Sequence, residues 1–171
     1  PVLIPTRAEE NYQLDVDRVR AAMTPRTRAI IVASPANPTG AVQDRKTMQA
    51  LADLGVPLVS DEIYDGLVYD GVETTSALAV SDQAYVLDGF SKRYAMTGFR
   101  LGYVIAPIHA LRALQVLQQN LFISANHFVQ YAGIAALEQG AASVAALREA
   151  YVQRRIQLIQ GLRELGFGLP T

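Results

Sequence analysis

Short apolar runs recur along the chain, each followed by a cluster of polar or turn-forming residues. Four such runs are predicted as strands: residues 28–33, 56–60, 84–88 and 100–106. The intervening and following stretches carry apolar residues at helical spacing, which predicts helices over residues 15–23, 43–54 and 141–165. Pro25 and Gly55 close the first two of these helices, and the chain is mostly helical from His109 onward. Strands that alternate with helices indicate an α/β fold.

The carboxyl ends of the predicted strands are the first place to look for a ligand. Continuous apolar strands between helices predict a mostly parallel sheet covered on both faces, in a three-layer α/β/α arrangement. In open sheets of this kind, ligands bind at the carboxyl ends of the strands. Three predicted strands run into polar residues there: Asn37 after the first, Asp61 and Tyr64 after the second, and Ser91 and Lys92 after the third.

Each of these residues has an ordinary explanation when it is taken alone. Residues 37–40 (NPTG) are typical of a simple turn, and Asp61 is a possible helix cap. Lys92 alone would be a solvated surface side chain, and Arg100 alone a salt-bridge partner. Together these explanations are weaker, because several unrelated polar residues would have to occur at the same edge of the sheet by chance.

Composition excludes several other functional classes. The 171 residues are 50% apolar and 18% charged, which is typical of a packed globular protein. A net charge of −1 gives no reason to expect nucleic acid or an anionic membrane as a partner. With no cysteine, and with His109 and His127 far apart, a metal site is not expected. The sequence also lacks a signal-peptide pattern and an apolar run long enough to span a bilayer, so a cytoplasmic location is expected.

Lysine is scarce in this chain, which is otherwise basic through arginine. Of its two lysines, Lys46 falls in a polar stretch of a predicted helix and reads as a surface side chain, whereas Lys92 falls where a strand ends. A lysine amine forms a Schiff base with an aldehyde cofactor. Arginine cannot replace it, because the guanidinium stays protonated and is not a nucleophile.

Three segments together resemble the class I/II aminotransferases, the fold-type I enzymes that use pyridoxal 5′-phosphate. They are residues 34–40 (SPANPTG), residues 61–64 (DEIY), and Ser91-Lys92 followed by residues 96–103 (MTGFRLGY). Their order and separations also fit, and the resemblance spans nearly the whole chain. It implies the central part of the large cofactor-binding domain, with transfer of an amino group from an amino acid to a 2-oxo acid through a Schiff base on Lys92.

The resemblance also implies roles for individual residues around the cofactor ring. Lys92 would carry the cofactor and, once released by substrate, act as the general base that moves the substrate proton. Asp61 would pair with the pyridine nitrogen and keep it protonated. Asn37 and Tyr64 would donate to the phenolic oxygen of the ring, and Ile63 would supply apolar contact to one ring face.

The cofactor phosphate is assigned by the same resemblance. Arg100 matches the phosphate-binding arginine, and Ser91 matches a hydroxyl donor to the same group. Gly89 departs from a variant of the pattern that has serine three residues before the lysine. In relatives the peptide bond that corresponds to Asn37–Pro38 is cis, and the same is expected here.

Both ends of the sequence look cut, which shapes the expected domain organisation. Residues 1–160 are expected to be part of the large domain, including the start of a long interdomain helix, and residues 161–171 the beginning of a small domain. In the family, the loop that cradles the phosphate lies upstream of this segment and the arginine that binds the substrate carboxylate lies downstream. The 171-residue segment is therefore expected to be inactive alone, and the full-length protein to be a homodimer.

Two other classes of function remain open at this point. The first is a different reaction on the same scaffold, such as a carbon–sulfur β-lyase or a related elimination, since the cofactor residues are shared. The second is a non-catalytic aminotransferase-like regulatory domain that only binds the cofactor. A scaffold that has lost the cofactor altogether is disfavoured, because Lys92, Asp61, Tyr64, Asn37 and Arg100 are all retained.

Overall fold

The computed structural model describes residues 1–169, and those residues form four strands and five α-helices. The strands are β1 (Ile30–Ala33), β2 (Leu58–Asp61), β3 (Tyr85–Gly89) and β4 (Gly102–Ile105). The helices are α1 (Val16–Ala22), α2 (Arg45–Ala52), α3 (Ile108–Leu121), α4 (His127–Gln139) and α5 (Ala141–Glu164). All four predicted strands are confirmed, and so are the predicted helices, with ends displaced by up to two residues.

The strands form one sheet in the order β1-β2-β3-β4. β1 pairs with β2 and β2 with β3 in parallel, whereas β3 and β4 are antiparallel. The mostly parallel α/β sheet predicted from the sequence is therefore confirmed. In the register, Ala33 is opposite Asp61, and Asp61 is opposite Leu87. The carboxyl ends of β1, β2 and β3 consequently meet at one edge of the sheet.

The hydrophobic core lies on one face of the sheet. Val32 of β1, Leu58 of β2 and Val86 of β3 point to this face and are at most 6% exposed. From α2, Met48 and Leu51 pack against them and are fully buried. Burying large apolar side chains of this kind contributes about 1.5–3 kcal/mol each, so this face holds the sheet together.

The opposite face of the sheet is open within residues 1–169. Ile31 of β1 is 77% exposed, and Leu87 of β3 and Val104 of β4 also remain exposed on that face. Strand side chains alternate between the two faces, so Ile31 and Leu87 are the neighbours in sequence of the buried Val32 and Val86. Coverage of this second face, which the sequence predicts, is not seen in the described part of the chain.

The helices on the packed face begin at side-chain caps. Asp15 accepts hydrogen bonds from the backbone N–H groups of Asp17 and Arg18 at the start of α1. Asp44 does the same for Thr47 at the start of α2, and this bond lowers the pKa of the Asp44 carboxyl. Each cap satisfies backbone donors that have no partner inside the helix.

The predicted boundary between the two domains falls inside a helix. α5 is continuous from Ala141 to Glu164 and passes residue 160 without interruption. Residues 170 and 171, which belong to the segment expected to begin the small domain, lie outside the described residues. Among the described residues, no helix is long and apolar enough to cross a membrane, and no group of acidic or histidine side chains could hold a metal ion.

Candidate functional site

Lys92 lies in a short loop that follows β3 and is closed by its own backbone. The N–H of Ala95 donates to the Lys92 carbonyl at 3.1 Å, and the N–H of Met96 donates to the Phe90 carbonyl at 3.1 Å. Ala95 takes a left-handed backbone conformation, with φ of 54°, which turns the chain back toward the sheet. Since Phe90 and Met96 are buried, the loop is anchored at both ends while Lys92 stays partly exposed.

Tyr64 joins Asn37 and Lys92 across three separate parts of the chain. The Asn37 side-chain amide donates to the Tyr64 hydroxyl at 3.0 Å. The Lys92 amine lies over the Tyr64 ring, 5.6 Å from its centroid. A hydroxyl that accepts a hydrogen bond can still donate its own proton, and an amide NH₂ has a second N–H. Asn37 and Tyr64 can therefore both donate to an anionic ligand oxygen beside the Lys92 amine.

The loop that carries Asn37 is folded back on itself. The N–H of Gly40 donates to the Ala36 carbonyl at 2.8 Å, with φ of +73° at Gly40, a conformation that favours glycine. The Asn37–Pro38 peptide bond is cis, as expected from the sequence, and so is Ser34–Pro35. The turn expected for NPTG is present, and it presents Asn37 to Tyr64.

The two adjacent carboxylates after β2 have different roles. Glu62 is 6% exposed, and its Oε1 accepts the Ala77 backbone N–H at 2.7 Å, so this carboxylate is committed to the core. Asp61 Oδ1 accepts the N–H of Ile63 at 3.1 Å, which orients the carboxylate and leaves Oδ2 able to accept from a ligand. The Ile63 side chain lies 3.3 Å from the position that a Cβ on Gly89, the last residue of β3, would occupy.

Arg100 and Ser91 are both hydrogen-bonded to Thr97. The Arg100 Nη1 donates to the Thr97 carbonyl at 2.9 Å, and the Thr97 hydroxyl donates to the Ser91 carbonyl at 2.9 Å. Arg100 also adopts a left-handed backbone conformation, with φ of 55°. Such a conformation costs a non-glycine residue on the order of 1 kcal/mol, which is consistent with a side chain held where a ligand needs it.

The ion pair between Arg93 and Asp65, beside the site, is not predicted by the sequence. Arg93 donates from Nε to the Asp65 backbone carbonyl at 2.9 Å, and its Nη2 contacts the Asp65 carboxylate. Burial alone would lower the pKa of the Arg93 guanidinium, but the carboxylates of Asp65 and Asp88 offset it and the pKa is raised. No local pattern predicts a contact between residues 28 positions apart. The available signal is that Arg93 is the chain neighbour of Lys92, and Asp65 that of Tyr64.

β3 and β4 are joined by a second polar contact near the Lys92 loop. The Tyr103 hydroxyl donates to Asp88 Oδ2 at 2.8 Å, while Asp88 Oδ1 accepts the N–H of Gly89. Burial, together with the hydrogen bond to the Asp88 carboxylate, raises the pKa of Tyr103 to about 12. The protonated phenol is therefore part of the β3–β4 pairing.

This contact should make stability depend on pH in the alkaline range. The pKa of Tyr103 is raised above its unfolded value of 10.0, so its contribution is present below about pH 10 and is lost as the pH rises toward 12. The free energy of unfolding of the wild type should exceed that of Tyr103→Phe by about 1 kcal/mol at neutral pH. This value is discounted for solvent screening, because Tyr103 is 40% exposed. Denaturant unfolding of both proteins across this range measures the difference, and a constant gap up to pH 12 would contradict it.

The structure thus brings together most of the residues predicted from the sequence. Asn37 and Lys92 each contact Tyr64, and Ser91 and Arg100 are linked through Thr97. Asp61 lies at the same sheet edge, and no ion pair joins it to Lys92 among residues 1–169. Carboxylate, amine and guanidinium are therefore arranged around an edge that can receive a polar, anionic ligand.

A family model described as "Aminotransferase class I and II" matches this sequence over residues 1–171. The chain belongs to the class I and II aminotransferases. The resemblance that the three sequence segments indicate is therefore confirmed, as is the α/β fold class. The role of each site residue remains a prediction.

Among the relatives of this chain, an aspartate/prephenate aminotransferase of Thermus thermophilus is 40% identical over 172 residues, covering 96% of this chain and 45% of the relative. An aromatic-amino-acid aminotransferase of Thermococcus litoralis is 37% identical, covering 100% of this chain and 46% of the relative. The chain thus spans about half the length of the curated relatives it matches.

Solved aminotransferase structures have the same fold. The aspartate aminotransferase of Thermus thermophilus with maleate matches with a TM-score of 0.91 and 40% identity, over 96% of this chain and 45% of that one. The aromatic aminotransferase of Pyrococcus horikoshii matches with a TM-score of 0.92 and 34% identity, over 100% of this chain and 49% of that one.

Class I and II aminotransferases depend on pyridoxal 5′-phosphate, and the donor set observed here fits that cofactor. A primary amine, Lys92, lies beside two N–H or O–H donors, Asn37 and Tyr64. A carboxylate with one oxygen uncommitted, Asp61, suits a protonated ring nitrogen, and the guanidinium of Arg100 suits a phosphate.

Proposed function

We propose that the full-length protein is a pyridoxal phosphate-dependent aminotransferase that moves an amino group from an amino acid to a 2-oxo acid. The observation that carries this proposal is the Lys92 amine, 5.6 Å from the centroid of the Tyr64 ring, with the Tyr64 hydroxyl bound by Asn37. When bound, the cofactor supplies an electron-accepting ring that a protein side chain cannot provide. Family membership supports the same reaction.

The residues of the chain divide the work around that ring. Lys92 would hold the cofactor through its amine, and the same amine, when free, would act as the general base for the substrate proton. Asp61, with Oδ2 uncommitted, holds a proton on the ring nitrogen. Asn37 and Tyr64 would donate to the phenolic oxygen, and Ile63 would supply apolar contact to the ring.

The phosphate end is assigned to the segment that follows β3. Arg100 binds the phosphate through the N–H donors that Thr97 does not use, and Ser91 contributes its hydroxyl. Arg100 and Lys92, which are eight residues apart in sequence, would then hold the phosphate and the aldehyde ends of the cofactor.

Assembly and organisation follow from the same proposal. The large apolar side chains exposed on α3 and α4, such as Leu121 (80%) and Phe128 (66%), support a homodimer. Residues 1–160 are assigned to the large domain and residues 161–171 to the start of a small domain, with α5 as the interdomain helix. A cytoplasmic location is proposed from family membership.

A half-reaction separates this function from the alternatives. The full-length protein is loaded with pyridoxal phosphate and given an amino acid without any 2-oxo acid. An aminotransferase converts the bound cofactor to pyridoxamine 5′-phosphate, seen as loss of the pyridoxal absorbance, and a 2-oxo acid restores it. Continuous product release with no pyridoxamine form would identify a β-lyase, and binding with no conversion of any amino acid would identify a regulatory domain.

A further inference from the structure

The segment that carries Tyr64 is a tight turn tied to the sheet at its start. The N–H of Glu62 donates to the Leu87 carbonyl of β3 at 2.8 Å, so the first residue of the turn extends the β2–β3 pairing. Within the turn, Asp65 N–H donates to the Glu62 carbonyl and Leu67 N–H to the Tyr64 carbonyl, at 2.7 and 3.0 Å. The far end of the turn is held by side chains from elsewhere in the chain.

Arg93 provides that second attachment through two nitrogens of its guanidinium, Nε and Nη2. Its Nε donates to the Asp65 carbonyl and its Nη2 to the Asp65 carboxylate, so the backbone and the side chain of one residue are bound together. Charge-assisted bonds from one rigid guanidinium restrict orientation as well as distance. The two side chains are 24% and 36% exposed, so solvent screens the pair less than at an open surface.

Gly66 and Thr74 restrict the geometry of this pair. A Cβ on Gly66 would lie 2.8 Å from Arg93 Nε, and Gly66 has φ of +80°, so a larger residue would displace the guanidinium. The Thr74 hydroxyl donates to Asp65 Oδ1, which leaves the other carboxylate oxygen for Arg93. Both carboxylate oxygens are therefore used, and the arginine has one orientation in which it fits.

We propose that Arg93 is a positioning residue that fixes the separation of Tyr64 from Lys92, each of which is the chain neighbour of one member of the Arg93–Asp65 pair. This inference rests on the proposed function, since it assigns the pair to the alignment of the cofactor's phenolic oxygen and its attachment point. The Tyr64 hydroxyl and the Lys92 amine belong to different loops, and the Arg93–Asp65 pair links those loops beyond the point where the β2–β3 pairing ends.

The test uses two single variants of the full-length protein, Arg93→Met and Asp65→Asn. The first removes a positive charge and the second a negative charge, so a purely through-space effect on the cofactor would have opposite signs in the two variants. Loss of positioning has the same sign in both, because either change releases the Tyr64 turn. Arg155→Met is the matched control, since it breaks the ion pair of 2.8 Å with Asp70 a few residues further along the same segment.

Two measurements are made on each protein. In the cofactor-free protein, hydrogen exchange at the amides of Asp65 and Leu67 is expected to accelerate about tenfold or more in both variants. In the loaded protein, the pH midpoint of the cofactor's absorbance change is expected to rise by about one unit in both, and the cofactor dissociation constant by about tenfold. Arg155→Met should leave the exchange rate, the midpoint and the dissociation constant at their wild-type values. Arg93→Lys should give values between those of the wild type and Arg93→Met, because an ammonium lacks the planar, paired N–H donors of a guanidinium.

Midpoints that move in opposite directions, or that do not move while the wild type attaches pyridoxal phosphate to Lys92, would overturn the inference. Wild type that never attaches the cofactor to Lys92 would instead count against the proposed function. In that case the exchange data on cofactor-free protein still decide whether Arg93 holds the Tyr64 turn. Should Arg93→Met fail to fold, Asp65→Asn alone still decides, because loss of its negative charge acting through space would lower the midpoint, whereas loss of positioning would raise it.

Discussion

Replacing Lys92 with arginine is expected to abolish covalent attachment of pyridoxal phosphate and to lower turnover of the full-length enzyme by about 10⁴-fold or more. Arginine keeps the positive charge and nearly the same length, but it has no nucleophilic amine and cannot accept a proton at neutral pH. The variant therefore separates the chemistry of the amine from its charge. Lys92 lies in a loop closed by hydrogen bonds at Ala95 and Met96, so the fold should tolerate the change.

Lys46 provides the matched control for this experiment. It is exposed on α2, on the packed side of the sheet, and Lys46→Arg should retain full activity. The loaded wild type is reduced with borohydride and digested, and the labelled peptide is identified by mass spectrometry. Because the 171-residue sequence has only two lysines, the peptide map is unambiguous within this segment. A label on Lys46, or equal activity of Lys92→Arg and wild type, would refute the assignment of the site.

Replacing Gly89 with alanine is expected to destabilise the protein by about 3 kcal/mol. A Cβ at this position would lie 2.9 Å from the Cα of Gly102 and 2.9 Å from the carbonyl oxygen of Leu101. Both are backbone atoms of the segment that enters β4, so neither can move aside as a flexible side chain would. The Ile63 side chain, at 3.3 Å, closes the remaining space.

Gly98 is the matched control for the Gly89 substitution. It lies in the same part of the chain and has no atom within 4 Å of its ideal Cβ, so Gly98→Ala should be nearly neutral. Urea unfolding of both variants measures the difference through the midpoint of the transition. Equal midpoints for Gly89→Ala and wild type would show that β4 can shift without cost.

The strands and helices were predictable because their signals are local. The apolar runs that became β1, β2 and β3 end in residues that cannot continue a strand, and α1 and α2 begin at the capping residues Asp15 and Asp44. β2 begins only at Leu58, two residues later than predicted, after a proline that has no N–H for the sheet. The antiparallel direction of β4 depends on where the chain returns to the sheet, which no local pattern encodes.

Most of the candidate site was also predictable, because parallel strands bring their carboxyl ends to one edge. That rule placed Asn37, Asp61, Tyr64 and Lys92 together before any distance was known. It could not distinguish Asp61 from the adjacent Glu62. Only the fold shows that Glu62 is buried against the Ala77 amide and that Asp61 keeps an oxygen for a ligand.

The sequence by itself determined that Lys92 is the residue to examine, because an amine at the end of a buried strand is scarce in this chain and chemically distinct from arginine. Tertiary structure decided what surrounds that amine: the Tyr64 ring, the Asn37 donor, and the Arg93–Asp65 pair that links their loops. The physical reason is that residue type and local pattern are encoded along the chain, whereas contacts across 27 or 28 residues exist only after the sheet has formed.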